Sequence, residues 1–336
     1  MKRPIAYISG TGYAVPRRAV TNDDLARNGL DTDDAWIRDR TGIGQRYVSD
    51  PDETLTVLST AASRKAMAEA GVQAGEIDAI ILGTATPDHL LPATAVEVQA
   101  ALGAGRAMAF DLGAACSGWL YSAQVAEGLI ATGMASTVLV IGAEVLSTII
   151  DWTDRNTCVL FGDGAGATII RSVRTLPRGE SRERGILSSY ARSDGNLYDL
   201  LWRPAGGVAE PFSDKVYAER RQYVRMEGRE VFKHAVRSMA DATDRALDMA
   251  KLTPADIDLV IPHQANMRII EATAKHAGID MSRFFVNVDR FGNTSAASIP
   301  IALADAKAQG RVPDGSLVLF AAFGAGFTWG SLVVRF

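Results

Sequence analysis

The stretch EIDAII at residues 76–81 returns as DIDLVI at residues 256–261, 180 positions later. A second apolar run, VLV at residues 138–140, meets VLF at residues 318–320 at the same offset. Short runs of this kind, rich in β-branched residues and bounded by small or turn-forming ones, are typical of buried strands. Two ordered matches at one spacing indicate that the chain contains two copies of one structural unit.

A third match supports the duplication. The turn GAAC at residues 113–116 falls opposite GNTS at residues 292–295, at an offset of 179. Proline-free segments of helical composition, such as residues 61–70 and 239–252, alternate with the strands. This alternation predicts a layered α/β fold.

The duplication also predicts the domain organisation. We expect βαβ-rich halves at residues 1–174 and 222–336, joined by an irregular segment rich in Gly, Pro and Arg at residues 175–221. Related halves bring equivalent loops together at the centre of the molecule. A site is therefore expected there.

Composition excludes several classes of protein. The 336 residues carry a net charge of −4, with 47% hydrophobic and 22% charged residues, which is typical of a globular protein and gives no overall basic field for nucleic acid. No apolar run reaches the ~18 residues of a membrane span. The basic start, Met1 to Arg3, is followed by Ser9 and Gly10, which interrupt the apolar core of a signal peptide. We expect a cytoplasmic protein without membrane association.

Cys116 is the first candidate for chemistry. It follows an apolar run at residues 107–112 and precedes a helical run that extends to about Ile130. At a strand-to-helix junction, helix N-terminal amides favour a thiolate. A lone cysteine is otherwise a small buried hydrophobe, and we interpret Cys158 in that way.

Two further side chains strengthen the case for Cys116. His263 follows the strand at residues 259–261, and Asn293 lies in the turn opposite the Cys116 turn. Cys, His and Asn together form a credible acyl-transfer set, in which a thiolate attacks a thioester and two donors stabilise an oxyanion. Taken alone, an Asn in the position of Asn293 is more often a turn residue.

Other motifs are less specific. The Gly-rich loops at residues 161–167 and 323–327 fit neither dinucleotide nor P-loop spacing, so we interpret them as tight turns. No pattern of ligands predicts a metal. A series of basic residues is either a solvated face or a docking patch for an acidic partner. It comprises Arg221, Arg225, Arg229, Lys233 and Arg237, with Arg268 nearby.

Taken together, these motifs resemble those of the β-ketoacyl-[acyl-carrier-protein] synthase III family of the thiolase superfamily, over essentially the whole chain. The matching pieces are DDAWI at 33–37 with RTGI at 40–43, the cysteine turn at 113–118, 161–167, HQAN at 263–266, GNTS at 292–295 and 323–330. The resemblance implies a thiolase-like five-layered α-β-α-β-α sandwich.

The resemblance also implies a two-step reaction that starts type II fatty-acid synthesis. Cys116 takes a short acyl group, such as acetyl, from CoA. Malonyl on acyl carrier protein then loses CO2 and condenses with the acyl-enzyme to give 3-ketoacyl carrier protein. His263 and Asn293 hydrogen-bond the malonyl thioester oxygen, and the amides of Cys116 and Ala325 hold the other oxyanion. Relatives commonly have Gly where Ala325 stands.

The same resemblance assigns binding roles, with CoA as a substrate and no cofactor. The implied CoA contacts are Trp36, Arg40, Arg155, Gly228, Phe232 and Asn266. The implied carrier-protein contacts are Lys233, Gln264, Ala265, Asn266, Met267 and Arg268. Members work as homodimers in which a neighbour's loop closes the acyl tunnel. That loop position is Leu91 here, whereas acetyl-preferring members often have Phe, so the primer range is open.

Alternatives remain at this stage. A starter-unit or acyl-transfer enzyme of secondary metabolism keeps the same triad. A catalytically silent scaffold binds CoA or carrier protein without forming an acyl adduct. A thiol hydrolase also uses Cys, His and Asn, but releases free acid.

Overall fold

The computed structural model describes residues 4–177, 179–181 and 183–336. Met1 to Arg3, including the predicted basic start, lie outside this range. The strands are β1 (Ala6–Ala14), β2 (Arg18–Thr21), β3 (Gln45–Val48), β4 (Ala79–Gly83), β5 (Met108–Leu112), β6 (Thr137–Glu144), β7 (Gly164–Ser172), β8 (Gly185–Ser193), β9 (Leu201–Trp202), β10 (Arg225–Met226), β11 (Leu259–Pro262), β12 (Leu317–Gly324) and β13 (Thr328–Arg335). The helices are α1 (Asn22–Arg27), α2 (Asp34–Thr41), α3 (Leu55–Ala70), α4 (Thr94–Leu102), α5 (Gly118–Ala131), α6 (Asp214–Ala218), α7 (Gly228–Ala250), α8 (Met267–Ala277), α9 (Val288–Phe291) and α10 (Ser298–Ala308).

The first large sheet has the strand order β1-β7-β6-β4-β5. Strands β5, β4 and β6 run parallel, whereas β7 is antiparallel to both β6 and β1. Every residue of β4 and β6 is buried. Helices on both faces explain why these strands are continuous apolar runs rather than alternating ones.

The second large sheet has the order β11-β12-β13-β8. Here β11 and β12 are parallel, and β12, β13 and β8 are successively antiparallel. The prediction that residues 175–221 are irregular is wrong for β8, which forms an edge strand of this sheet. The second unit therefore begins near Gly185 rather than at residue 222. Strand β8 pairs with β13, about 140 residues later, and no local pattern reveals so distant a partner.

The predicted duplication is present in the backbone. The C-caps of α3 and α7, Gly71 and Lys251, are both left-handed and 180 positions apart. The predicted alignment of the two turns is wrong by one residue. The 3₁₀ turns Ala115–Ser117 and Ser295–Ala297 correspond at an offset of 180, whereas the sequence match gave 179. Ala115 and Ser295 have φ angles of 44° and 48°.

The layers of the fold are α-β-α-β-α. Helices α3 and α4 cover the outer face of the first sheet, and α7 and α8 cover the outer face of the second. Between the sheets lie α5 and α10, whose apolar side chains pack with strands of both. Because α5 and α10 both lie between the sheets, the turns that precede them meet at the centre of the molecule.

Among the described residues, no helix is both long and apolar enough to cross a bilayer.

Candidate active site

Cys116 lies in the 3₁₀ turn between β5 and α5, one residue after the left-handed Ala115. Its side chain is only 8% exposed. The sequence predicted that helix amides would favour a thiolate, but burial raises the pKa of Cys116 to about 12. The thiol is therefore protonated at neutral pH, because little solvent reaches the sulfur. Cys158 is buried too, as predicted.

His263 follows β11 and is 2% exposed. Ser298 Oγ lies 2.6 Å from His263 Nδ1, and it accepts the N–H of Gln264 at 3.4 Å. We assign the Ser298 hydroxyl proton to the bond with Nδ1, which places the imidazole proton on Nε2. Burial lowers the pKa of His263 to about 3, so the ring is neutral and Nε2–H is a donor.

Asn293 lies in the turn before the second 3₁₀ turn and is buried. Its backbone is anchored on the 160–162 loop, where its N–H donates to Leu160 O at 2.8 Å and its carbonyl accepts from Gly162 N. The side-chain oxygen Oδ1 accepts the N–H of Ser295 at 2.9 Å. The Asn293 side chain therefore keeps its two amide hydrogens as donors.

These three side chains line one cavity of about 290 Å³, which we call the outer channel. Gly228, Phe232, Ala235 and Met239 line one wall, and their spacing places them on one face of α7. The outer channel is also lined by Trp36, Arg40, Arg155, Ala265, Asn266, Arg268 and Gly324. The sequence-predicted triad and CoA contacts thus lie along a single passage.

A second cavity of about 130 Å³, the inner cavity, also reaches Cys116. Its walls are mainly apolar: Ala85, Ala115, Leu146, Ile149, Ile150, Phe161, Leu201, Trp202, Val224 and Ala325, with Arg203 and Ser295. Cys116 borders both cavities. A group attached to its sulfur can therefore extend into the inner cavity while another ligand occupies the outer channel.

The predicted second oxyanion donor, Ala325, lies in the wall of the inner cavity beside Cys116. The preceding residue, Gly324, packs against the cysteine turn, and a Cβ there would lie 2.7 Å from Cys116 N. Gly324 is therefore required by close backbone contact.

Trp36 lies between two arginines. The guanidinium carbon of Arg40 is 4.4 Å from the centre of the indole ring, and that of Arg155 is 4.6 Å away. Arg155 also donates to Asp31 O at 2.6 Å. A planar base that stacks on this ring has to displace one of the guanidinium groups, both of which are on exposed side chains.

One predicted docking residue is misassigned. Gln264 is 1% exposed, and its amide donates to Pro262 O and Phe285 O and accepts from Asn287 N. Its side chain is thus committed to the interior and is not available to a protein partner. The other predicted contacts are exposed or half-buried: Lys233, Ala265, Asn266, Met267 and Arg268. Asn266 also caps α8 through its side chain.

Sequence reasoning missed three polar residues around the triad. Ser298 orients His263, and Ser295 contacts both Asn293 and Glu144. Glu144 ends β6 and is fully buried. The one signal for Glu144 is an acidic residue at the end of an otherwise apolar run, VLVIGAE.

Comparisons with known proteins agree with this geometry. A family model described as 3-oxoacyl-[acyl-carrier-protein (ACP)] synthase III matches residues 110–195, and its C-terminal counterpart matches residues 247–336. The chain is 51% identical to β-ketoacyl-[acyl-carrier-protein] synthase III of Symbiobacterium thermophilum, over 99% of this chain and 98% of the relative. The corresponding protein of Roseiflexus castenholzii is 50% identical, over 98% of both chains.

Solved structures give the same result. The chain superposes on 3-oxoacyl-[acyl-carrier-protein] synthase III of Aquifex aeolicus with a TM-score of 0.88 and 44% identity, covering 98% of this chain and 100% of the other. It also matches the priming β-ketosynthase of the R1128 polyketide pathway, with a TM-score of 0.89 and 33% identity over 99% and 97% of the chains.

Proposed function

The chain belongs to the β-ketoacyl-[acyl-carrier-protein] synthase III family. We propose that it catalyses a condensation in two steps, acylation of Cys116 and then attack by a malonyl-derived enolate. The enzyme transfers a short acyl group from CoA to Cys116 and joins it to malonyl-acyl carrier protein in fatty-acid synthesis. These roles are assigned because Cys116 lies at the border of both cavities.

In the first step the pantetheine arm of acyl-CoA occupies the outer channel along the α7 wall. The Cys116 sulfur attacks the thioester carbon, and the acyl chain lies in the inner cavity. The amides of Cys116 and Ala325 stabilise the oxyanion. Departure of CoA leaves the acyl-enzyme and an empty outer channel.

In the second step malonyl-carrier protein enters the same channel. The malonyl group loses CO2 as charge grows on its thioester oxygen, and donors aimed at that oxygen stabilise the transition state. Neutral His263 provides Nε2–H and Asn293 provides its side-chain amide. The resulting enolate attacks the acyl carbon on Cys116, the bond from that carbon to the Cys116 sulfur breaks, and the step yields 3-ketoacyl carrier protein, CO2 and the free cysteine.

The mouth of the outer channel has the chemistry of its proposed ligands. Trp36 and Arg155 enclose the adenine of CoA between them, and Arg40 reaches a phosphate. Lys233 and Arg268 provide exposed positive charge for an acidic carrier protein, beside Ala265, Asn266 and Met267. Gln264 does not belong to this surface, because its side chain is buried and hydrogen-bonded to the interior.

The working unit in this proposal is a cytoplasmic homodimer without a cofactor. Strand β5 is an edge strand with partly exposed side chains, and Met108 and Leu91 are among the exposed large apolar residues. Leu91 is 88% exposed, and burial in a partner chain accounts for an apolar side chain in that position. It closes the partner's inner cavity.

A priming role in polyketide synthesis is the second candidate, favoured by the likeness to the R1128 enzyme and by the aliphatic inner cavity. Both candidates form the same acyl-enzyme, so the acceptor and primer range separate them.

Intact-protein mass spectrometry tests the proposal. The chain is mixed with acetyl-CoA and a series of longer acyl-CoAs, and malonyl-carrier protein is added afterwards. We expect an acyl shift that is absent in Cys116→Ala and that disappears as ketoacyl carrier forms. An adduct that moves to another acceptor supports the secondary-metabolic role. No adduct from any donor contradicts the enzyme assignment and leaves a silent scaffold.

A further inference from the structure

Glu144 is a buried carboxyl group that the condensation described above does not use. Thr86 Oγ1 donates to it at 2.6 Å, Ala85 N at 3.1 Å, Ser295 Oγ at 3.1 Å and Thr84 Oγ1 at 3.3 Å. Four donors surround the group, which is the arrangement that stabilises a carboxylate. Burial opposes them and raises the pKa of Glu144 to about 7.

The donors differ in how firmly their hydrogens are fixed. Thr86 Oγ1 accepts the N–H of Val145 at 2.9 Å, and Thr84 Oγ1 accepts the N–H of Thr86 at 3.0 Å. Each of these two hydroxyls thus accepts one backbone N–H and donates its proton to Glu144. Among the described residues, no backbone N–H donates to Ser295 Oγ. Ser295 therefore keeps an acceptor lone pair on the oxygen that donates to Glu144.

Ser295 also lies beside the proposed nucleophile. Ser295 and Cys116 line the same inner cavity, and a hydrogen bond between their side chains counteracts the rise of the Cys116 pKa. Glu144 is also close enough to Cys116 for its negative charge to raise the pKa of the thiol. The Ser295 hydroxyl thus lies between the thiol, with which it lines the inner cavity, and the carboxyl group at the end of β6, to which it donates at 3.1 Å.

We propose that Ser295 relays the thiol proton of Cys116 to Glu144 as the sulfur attacks the acyl donor. The Sγ–H bond breaks, its proton passes to Ser295 Oγ, and the Ser295 hydroxyl proton passes to Glu144. The new S–C bond forms, the C–S bond to CoA breaks, and the CoA thiolate takes a proton from solvent. After condensation the Cys116 thiolate regains its proton from Glu144 by the reverse route.

The relay is needed because the other candidate base is occupied. His263 is neutral, but Ser298 donates to its Nδ1, and its Nε2 carries a proton that serves as a donor. The titratable groups on the segments around Glu144 are Cys116, Asp163 before β7 and Asp88 beyond β4. Asp163 accepts from Ser49 N and Ser147, and Asp88 accepts from the first amides of α3. In the described part of the chain, neither carboxylate forms a hydrogen bond with Cys116.

The inference rests on the proposed role of Cys116, and its test avoids the substrates. Iodoacetamide alkylates Cys116 without acyl-CoA, and peptide mass spectrometry follows the rate between pH 5.5 and 9. In the unchanged enzyme we expect the rate to rise through an inflection in the neutral range. In Glu144→Gln and Ser295→Gly that inflection is lost, and the rate at pH 7.5 falls by about 10²-fold, the scale of general-base assistance.

Two controls are built into the chain. Ser295 has a φ of 48°, a region that glycine adopts readily, so Ser295→Gly removes the hydroxyl without straining the turn. Cys158 is fully buried and serves as the internal check on folding: it should stay unalkylated in denaturant-free solution in the unchanged enzyme and in both variants. Glu144→Asp, which keeps the carboxylate, restores part of the pH dependence.

Two outcomes overturn the relay. If Glu144 only repels a thiolate, Glu144→Gln speeds alkylation at pH 7.5, since removal of a negative charge lowers the pKa of Cys116. If Glu144 is only structural, the rate changes by one factor at every pH and the inflection remains. Absence of an acyl adduct with a normal alkylation profile contradicts the proposed function and leaves the relay intact.

Discussion

Ser298 Oγ lies 2.6 Å from His263 Nδ1 and accepts the N–H of Gln264 at 3.4 Å, so one buried hydroxyl holds the imidazole of His263 in place. Ser298 is the first residue of α10, which packs between the two sheets. The second half of the duplicated fold thus orients a side chain that projects from its own strand β11. Loss of the Ser298 hydroxyl should therefore affect the condensation step, in which His263 is proposed to donate to the malonyl thioester oxygen.

Ser298→Ala should slow condensation and leave acylation intact. Without the hydroxyl, Nδ1 loses its donor and the ring can place its proton there, which removes the Nε2–H donor from the malonyl oxygen. We expect a loss of about 10- to 100-fold in CO2 release from malonyl-carrier protein, by comparison with loss of one oxyanion donor. The rate of acyl transfer to Cys116, followed by intact mass, serves as the matched control. An equal loss in both steps would show that Ser298 acts on the whole site.

His263 should make the protein sensitive to acid. Its pKa is about 3 in the folded chain and 6.5 as a free side chain, so the unfolded state binds the extra proton between these values. Stability from this group is complete above about pH 6.5 and is lost as the pH falls towards 3. Between pH 7.5 and 5 the loss is about 2 kcal/mol. Urea unfolding at both values should show a smaller loss in His263→Asn; an identical loss in the variant would place the acid sensitivity elsewhere.

Glu144 should have the opposite effect on stability. Its pKa rises from 4.5 to about 7 on folding, so the folded state holds the proton more tightly between these values. Its contribution is present below about pH 4.5 and is lost as the pH rises through 7. Replacement by Gln removes this dependence, so the effect of Glu144→Gln on the unfolding free energy should be more favourable at pH 8 than at pH 5 by about 2–3 kcal/mol. Chemical denaturation at the two pH values measures it, and a pH-independent difference would contradict burial of an ionisable group.

The sequence predicted those parts of the fold that depend on local apolar runs. Strands β4, β6, β11 and β12 coincide with the four runs that carry the duplication, because parallel strands covered on both faces need continuous apolar residues. Strand β8, with the sequence GILSSYARS, has no such run. It is defined by its partner β13, and pairing across so many residues leaves little trace in a local pattern.

The site divides in a similar way. Cys116, His263 and Asn293 follow strand ends or lie in equivalent turns, so position along the chain predicted that they line one cavity. The polar side chains that surround these three residues could not be predicted from position along the chain. Ser295 and Ser298 are identified by hydrogen bonds alone, and Glu144 is marked in the sequence only as an acidic residue that ends an apolar run. Burial also reversed the expected direction of the Cys116 pKa, since helix position is visible in a sequence and desolvation is not.

Charge at the mouth of the outer channel should govern use of the carrier protein. Lys233 and Arg268 are about half exposed, and Arg268 lies in the first turn of α8, close to Asp39. Reversal of both charges, in Lys233→Glu with Arg268→Glu, replaces attraction for an acidic partner with repulsion. We expect the KM for malonyl-carrier protein to rise about tenfold or more, with a weaker dependence on salt than in the unchanged enzyme.

The control for this prediction is on the same helix. Lys275 lies in the last turn of α8, about 10 Å from Arg268 along the axis at 1.5 Å per residue. Lys275→Glu alters the net charge without altering the channel mouth, so its KM should stay close to that of the unchanged enzyme. Acylation of Cys116 by acetyl-CoA should be similar in all three proteins, because the proposal assigns CoA to Trp36, Arg40 and Arg155 and not to Lys233 or Arg268. An equal rise in KM for Lys275→Glu would mean that the partner responds to the overall charge of the enzyme and not to a surface at the channel.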